Sequence, residues 1–194
     1  METTPQLDTL GLGRIERLDP REVWRHEAGD LTPWLLENLD VLAEALGIEI
    51  IPTQREVRVG DFKLDILGED PAGNPIIIEN QLEATDHSHL GQLIVYASGL
   101  EAAVVVWLTP RFRDEHRRAL DWLNERTDEN VNFFGVELDL VRIGTSPPAP
   151  SFRLLAQPND WQKAVKSQTG VSDKARARHA FFVETFDAIA ALMP

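Results

Sequence analysis

Three polar residues occupy places where an apolar chain would be cheaper. Asp65 lies between Leu64 and Ile66, and Glu79 closes the run Ile76-Ile77-Ile78, with Gln81 two residues further on. A carboxylate inside an apolar strand is costly unless it is paired, hydrogen-bonded or bound to a metal. In a strand, residues two apart leave the same face, so Glu79 and Gln81 point together. If the two apolar segments form a hairpin, Asp65 lies opposite them. Two carboxylates and an amide then converge. Such oxygen donors suit Mg²⁺ or Mn²⁺. The chain has no cysteine, which excludes a disulfide framework, a thiolate metal site and a cysteine nucleophile.

Further polar groups follow directly. Asp86, His87 and His89 open a helical segment. Residues i and i+2 do not share a helix face, which argues against a paired-histidine metal site. His87, near a helix N-terminus, is placed to bind a phosphate or shuttle a proton, while Asp86 capping the helix with both histidines exposed fits equally well. Gln92 and Tyr96, four apart, share a face.

The elements that must position these residues can be read from periodicity. Thr32 is a candidate cap for a helix with Pro33 at its first position and Gly47 at its end. Leu35, Leu39, Leu42 and Leu46 form its apolar stripe, with Glu37 at the edge. Strand-like segments follow at 48–59, 62–67 and 75–82, the last two joined by the turn residues Glu69 to Asn74. Next come a helix at 86–99 with Leu90, Leu93, Ile94 and Ala97 inward, a buried strand at 102–108, an amphipathic helix at 111–126 and a strand at 131–143. Residues 1–30 read as a lead-in with a short strand near 13–18, and 31–144 as the core. Residues 145–150 (Thr-Ser-Pro-Pro-Ala-Pro) read as a stiff linker, and 151–194 as a mildly basic extension ending in a helix at 173–193. The expected fold class is mixed α/β, a mixed central sheet flanked by helices.

Two motifs in order, Gly60-Asp61-Phe62-Lys63-Leu64-Asp65 and Ile76-Ile77-Ile78-Glu79-Asn80-Gln81, resemble the core of the PD-(D/E)xK nuclease superfamily, which has a restriction-endonuclease-like αβββαβ core. Gln92 to Tyr96 resembles the QxxxY motif of its RecB-like members. The helix bearing Glu37 resembles the first core helix. The resemblance covers about residues 31–143. It implies that Asp65 and Glu79 are catalytic carboxylates, that Asp65, Glu79, the Asn80 carbonyl and Glu37 hold Mg²⁺ or Mn²⁺, and that Gln92 and Tyr96 support the site or touch a phosphate. It further implies a nuclease acting on nucleic acid, with DNA the expected polymer and defence or repair the expected setting. The chain departs from the family where Gln81 replaces the usual lysine; an amide can orient a water but brings no charge. The first motif also lacks its proline.

The overall charge pulls against this reading. The 194 residues carry a formal charge of −13, with 32 acidic against 19 basic side chains. Residues 1–100 contribute −12, 101–150 contribute −3 and 151–194 contribute +2. Phosphate binding usually needs a basic surface, and the tail residues Lys163, Lys166, Lys174, Arg176 and Arg178 are the best candidates for it. Two functions therefore stand side by side: a metal-dependent phosphodiesterase, and a degenerate nuclease-fold module that binds nucleic acid or a partner protein without cutting. No apolar run is long enough to span a bilayer and no leader is seen, so the expected location is the cytoplasm. A homodimer and a further C-terminal domain are both open.

Overall fold

A computed structural model of the chain describes residues 11–127 and 130–158. Its centre is a seven-stranded mixed sheet. The strands are β1 (Ile15–Leu18), β2 (Ile51–Val59), β3 (Phe62–Glu69), β4 (Pro75–Asn80), β5 (Val104–Thr109), β6 (Asn132–Ile143) and β7 (Ala149–Ala156). The helices are α1 (Thr32–Glu37), α2 (Leu39–Leu46), α3 (His87–Gly99) and α4 (Asp114–Arg126). β2, β3 and β4 form an antiparallel meander, and β4, β5 and β6 run parallel. Parallel neighbours need crossovers, and α3 and α4 are those crossovers. The result is the helix–three-strand–helix–strand order that the motif spacing predicts.

The burial pattern follows from alternation in the central strands. Val104, Val106 and Leu108 join Ile66, Ile76 and Ile78 under α1 and α2. Val105 and Trp107 join Leu64 and Ile77 under α3 and α4. A strand covered on both faces reads as a continuous apolar run, as 104–108 does. Gly60, with φ of 61°, makes the tight β2–β3 turn. Among the described residues no helix is long and apolar enough to cross a membrane.

Four sequence expectations change. Thr32 does not cap the first helix; a π-helical turn, Glu27–Leu31, extends it backward. The Thr32 hydroxyl instead donates to Asn80 Oδ1 at 3.1 Å. The helix also breaks at Asn38, whose Nδ2 donates to the Trp34 carbonyl at 2.8 Å and competes with the backbone ladder. Gly47 closes α2 with a left-handed φ of 66°, as expected.

The third change is at 145–150, which is not a linker between units. It supplies the turn and first residues of a β6–β7 hairpin, in which Val141 pairs with Ala149 and Leu138 with Phe152. Phe152 and Leu154 pack onto the core. Both β5 and β1 pair with stretches of β6 that β7 also covers, so they share its other edge. β7 is then an edge strand, where Pro150 removes no ladder bond that an inner strand would need. The sheet thus runs from β1 to β7, beyond the expected 31–144. Finally, α3 is rotated from its expected facing: Leu93 and Tyr96 are fully buried, and Ile94 is 46% exposed. The expected helix at 173–193 lies outside the described residues.

Candidate active site

The β3–β4 hairpin pairs Ile66 with Ile78 and Leu67 with Ile77. Just beyond the last pair of that ladder, Asp65 and Glu79 lie next to each other, the Asp65 backbone N–H donating to the Glu79 carboxylate. Here the Asn80 backbone N–H donates to Asp65 Oδ2 at 2.9 Å and Asn80 Nδ2 donates to the same oxygen at 3.0 Å. Asn80 is itself held by Thr32, so the first helix, β4 and β3 are tied together at this point. On β2, Glu56 adopts a positive φ of 54° and pairs with Lys63 at 2.9 Å.

The electrostatics of the pair are unfavourable. Glu79 is only 4% exposed. Burial, then the charge of Asp65, pushes its carboxyl up to about 9. Burial likewise raises Asp65, to about 6, against the Asn80 hydrogen bond that lowers it. Glu79 Oε2 is buried with no hydrogen-bond partner, and among the described residues no other buried side-chain oxygen or nitrogen is left so. An unmade bond in the interior costs roughly 1–3 kcal/mol, more for a charged group.

A third carboxylate acts on both. Glu27 Oε1 accepts from the Leu82 N–H at 2.7 Å, and its charge raises Asp65 and Glu79 alike. Asp30 Oδ2 accepts from the N–H groups of Arg25 and His26 at 2.8 and 2.9 Å, fixing the turn that presents Glu27. Glu37, the acidic residue expected from the first helix, is exposed at the end of α1. Glu27 takes its place because the helix begins one turn earlier than Thr32-Pro33 suggests. The signal in the sequence was an acidic residue four before Leu31, the first buried residue of that helix.

Gln81 belongs to a different set of contacts from the one expected. Its Oε1 accepts from Trp107 Nε1 at 2.7 Å, and its Nε2 donates to the Ala84 carbonyl at 2.9 Å and lies 3.5 Å from Asp86 Oδ2. Both ends of the amide are engaged within the protein, so it is not presented to a water beside Glu79. Gln92 and Tyr96 do meet: the Tyr96 hydroxyl donates to Gln92 Oε1 at 3.2 Å. Burial raises the Tyr96 hydroxyl, and the charges of Glu79 and Asp65 add to this. Tyr96, on α3, is therefore within electrostatic reach of both carboxylates.

Asp86 caps α3, accepting from the His89 N–H at 2.9 Å. His87 is exposed, with its Nδ1 2.6 Å from Nε2 of His116. His116 is buried, its Nδ1 is 2.7 Å from the Thr85 hydroxyl, and burial followed by His87 lowers its pKa. The bonds seen at His87 thus run toward α4 rather than toward Asp65 and Glu79. Lys163, Lys166, Lys174, Arg176 and Arg178 lie outside the described residues.

The donor set is all oxygen: Asp65, Glu79 and Glu27. Among the described residues no three Asp, Glu, His or Cys side chains converge tightly enough to cage an ion by themselves. Mg²⁺ does not require a cage; it takes one or two carboxylates and fills its octahedron with water and substrate phosphate. The orphaned Glu79 oxygen beside Asp65 fits such an ion.

No family model and no curated protein matches the chain. Solved structures similar to it include a repair endonuclease from Pyrococcus abyssi, with 18% identity and a TM-score of 0.45 over 59% of this chain and 48% of that one. A second is EndoMS in a complex with double-stranded DNA, at 22% identity and a TM-score of 0.42, covering 55% and 43% of the two chains. A third is Pyrococcus furiosus SfsA with Ca²⁺, at 20% identity and a TM-score of 0.33, covering 66% and 63%. The chain spans less than half the length of the first two.

Proposed function

We propose that this domain is a metal-dependent phosphodiesterase that cleaves nucleic acid, with DNA as its polymer. The observation that carries the reading is Glu79: a buried carboxylate with an unpartnered oxygen, set next to a second carboxylate and near a third. Such a cluster destabilises the fold, and a bound cation is what relieves it. Asp65, Glu79 and Glu27, with the Asn80 carbonyl, are the residues that would hold Mg²⁺ or Mn²⁺. A divalent ion there supplies a water acidified enough to act as nucleophile and positive charge for the transition state.

The protein's own residues do the rest. Asn80 fixes the Asp65 carboxylate by two bonds to one oxygen. Tyr96 and Leu93 are fully buried on the inner face of α3, and charge interactions are stronger in such an interior than in water. Gln81 braces the β4 exit against Trp107.

One observation favours the second reading, a binding module without cleavage. The position usually held by lysine carries an uncharged amide already committed to protein partners. The two readings separate in one experiment. Calorimetric titration with Mg²⁺ and Mn²⁺ is paired with cleavage of plasmid and single-stranded DNA by the full chain. Metal binding and cleavage, both lost in Asp65→Ala and Glu79→Ala, support the enzyme. DNA binding that persists in both variants, with no cleavage by the wild type, supports the module.

A further inference from the structure

The face of α3 that packs on the sheet is set by Leu93 and Tyr96, both fully buried. His89 lies one turn before Leu93 and two before Tyr96, at the i, i+4, i+7 spacing that shares a face. Tyr96 is near enough to feel the charges of both Glu79 and Asp65. His89 acts on Asp65 as well, and it is the basic group among the side chains doing so, Glu27 and Glu56 being acidic. Its side chain is 28% exposed and so accessible from solvent.

The ring is held in one orientation. Its Nδ1 lies 2.6 Å from Asp86 Oδ2, while Asp86 Oδ1 takes the His89 backbone N–H. A carboxylate only accepts, so Nδ1 carries the hydrogen and Nε2 of the neutral ring is a bare acceptor. The pairing is reflected in Asp86: burial would raise its pKa, and the hydrogen bonds from His89 together with the His89 charge bring it below the ordinary value. Gln81 Nε2 approaches the same Asp86 oxygen at 3.5 Å. The residue at the lysine position therefore braces an Asp–His pair.

We propose that His89, oriented by Asp86 and braced by Gln81, is the catalytic proton acceptor of this site, doing the work that a lysine at position 81 would do. The proposal rests on the phosphodiesterase reading above. The water oxygen bonds to phosphorus while its proton passes to His89 Nε2. The bond from phosphorus to the leaving oxygen breaks, and that oxygen takes a proton from solvent. The products are a phosphomonoester and an alcohol. Asp86 stabilises the imidazolium that forms, as the acid of a triad does. The charged groups that interact with the ring are Asp86, which bonds it, and Asp65 on β3, whose carboxyl the His89 charge lowers.

The test uses the full chain with a DNA oligonucleotide and Mn²⁺. His89→Ala is expected to lower kcat roughly 100-fold with DNA affinity unchanged, and free imidazole to restore part of it. Asp86→Asn is expected to lower kcat less and to shift the acid limb of the pH profile. His89→Ala within threefold of wild type, beside an inactive Asp65→Ala, overturns the role of His89 and leaves the phosphodiesterase standing. Wild-type activity in both variants overturns both. A readout independent of cleavage is nitrogen NMR of the His89 ring. A protonated Nδ1 in the neutral form, lost in Asp86→Asn, supports the proposal. A bare Nδ1, or a tautomer indifferent to that substitution, overturns it.

Discussion

Glu79→Gln is expected to make the metal-free protein more stable. Burial holds the Glu79 carboxyl at about 9, against an ordinary value of 4.5. A carboxyl raised on folding is bound more tightly to its proton in the folded state. Its contribution is therefore fully favourable below pH 4.5 and is lost progressively as pH rises to about 9. At pH 7 the loss spans about 2.5 pH units, or about 3 kcal/mol at 1.36 kcal/mol per unit. Glutamine keeps the shape and cannot ionise, so it escapes this loss. Its amide brings a donor that must find a partner, which takes back part of the gain. The net expectation is about 1–3 kcal/mol at pH 7, or roughly 3–10 °C in Tm for a domain of this size. The assay is thermal unfolding followed by circular dichroism in EDTA at pH 5, 7 and 9. The gap between variant and wild type should widen with pH, and added Mg²⁺ should raise the wild-type Tm and leave the variant unmoved. A variant less stable than wild type at pH 7, or a gap that stays flat from pH 5 to 9, would refute the reasoning.

Other expectations follow from single contacts. Glu27→Gln should weaken Mn²⁺ binding about tenfold, or about 1.4 kcal/mol, whereas Glu37→Gln should change it less than about twofold; calorimetry decides between them. Gln81→Lys should leave Trp107 Nε1 without its acceptor and lose about 1–3 kcal/mol. The new ammonium would turn to Ala84 and Asp86, so cleavage should not rise; a more active and more stable variant would show that position 81 faces the carboxylates after all. Leu154→Asp should destabilise the domain by about 2 kcal/mol, because β7 packs on the core; urea titration that finds no change would return 149–156 to the status of an appendage.

The elements were legible where one periodicity dominated. The runs at 62–67, 75–82 and 102–108 alternate or stay apolar, and each is a strand. The Asp65–Glu79 juxtaposition was legible too, because a hairpin with a recognisable turn fixes which residues face each other. What failed were positions settled by tertiary contacts. Thr32 has the chemistry of a cap, but Asn80 is a buried partner that claims its hydroxyl. Glu37 sits at the edge of the helical stripe, yet one extra helical turn upstream gives Glu27 the inward place. Gln81 looks like a water-orienting amide until Trp107, distant in sequence, supplies its donor. The proline-rich 145–150 has linker composition, and only the pairing of β7 with β6 shows it to be a hairpin.

The charge of −13 looked like an objection to any dealing with phosphate. The geometry changes what that number means. A surface carboxylate costs little and repels a phosphate only through screened solvent. Asp65, Glu79 and Glu27 are different, because they interact with one another strongly enough to help raise the carboxyls of Asp65 and Glu79. Burial keeps Glu79 protonated at neutral pH while no cation is bound, and the negative charge that remains where a substrate phosphate would have to come is tempered at Asp65 by the Asn80 hydrogen bond and by His89. Without a cation that place repels a phosphodiester. With a divalent cation the local sign reverses. The same carboxylates that weaken the fold then make the approach of substrate conditional on the metal. Acidity, at these residues, is thus a requirement of the proposed chemistry, and only the remaining surface carboxylates still count against wrapping of a duplex.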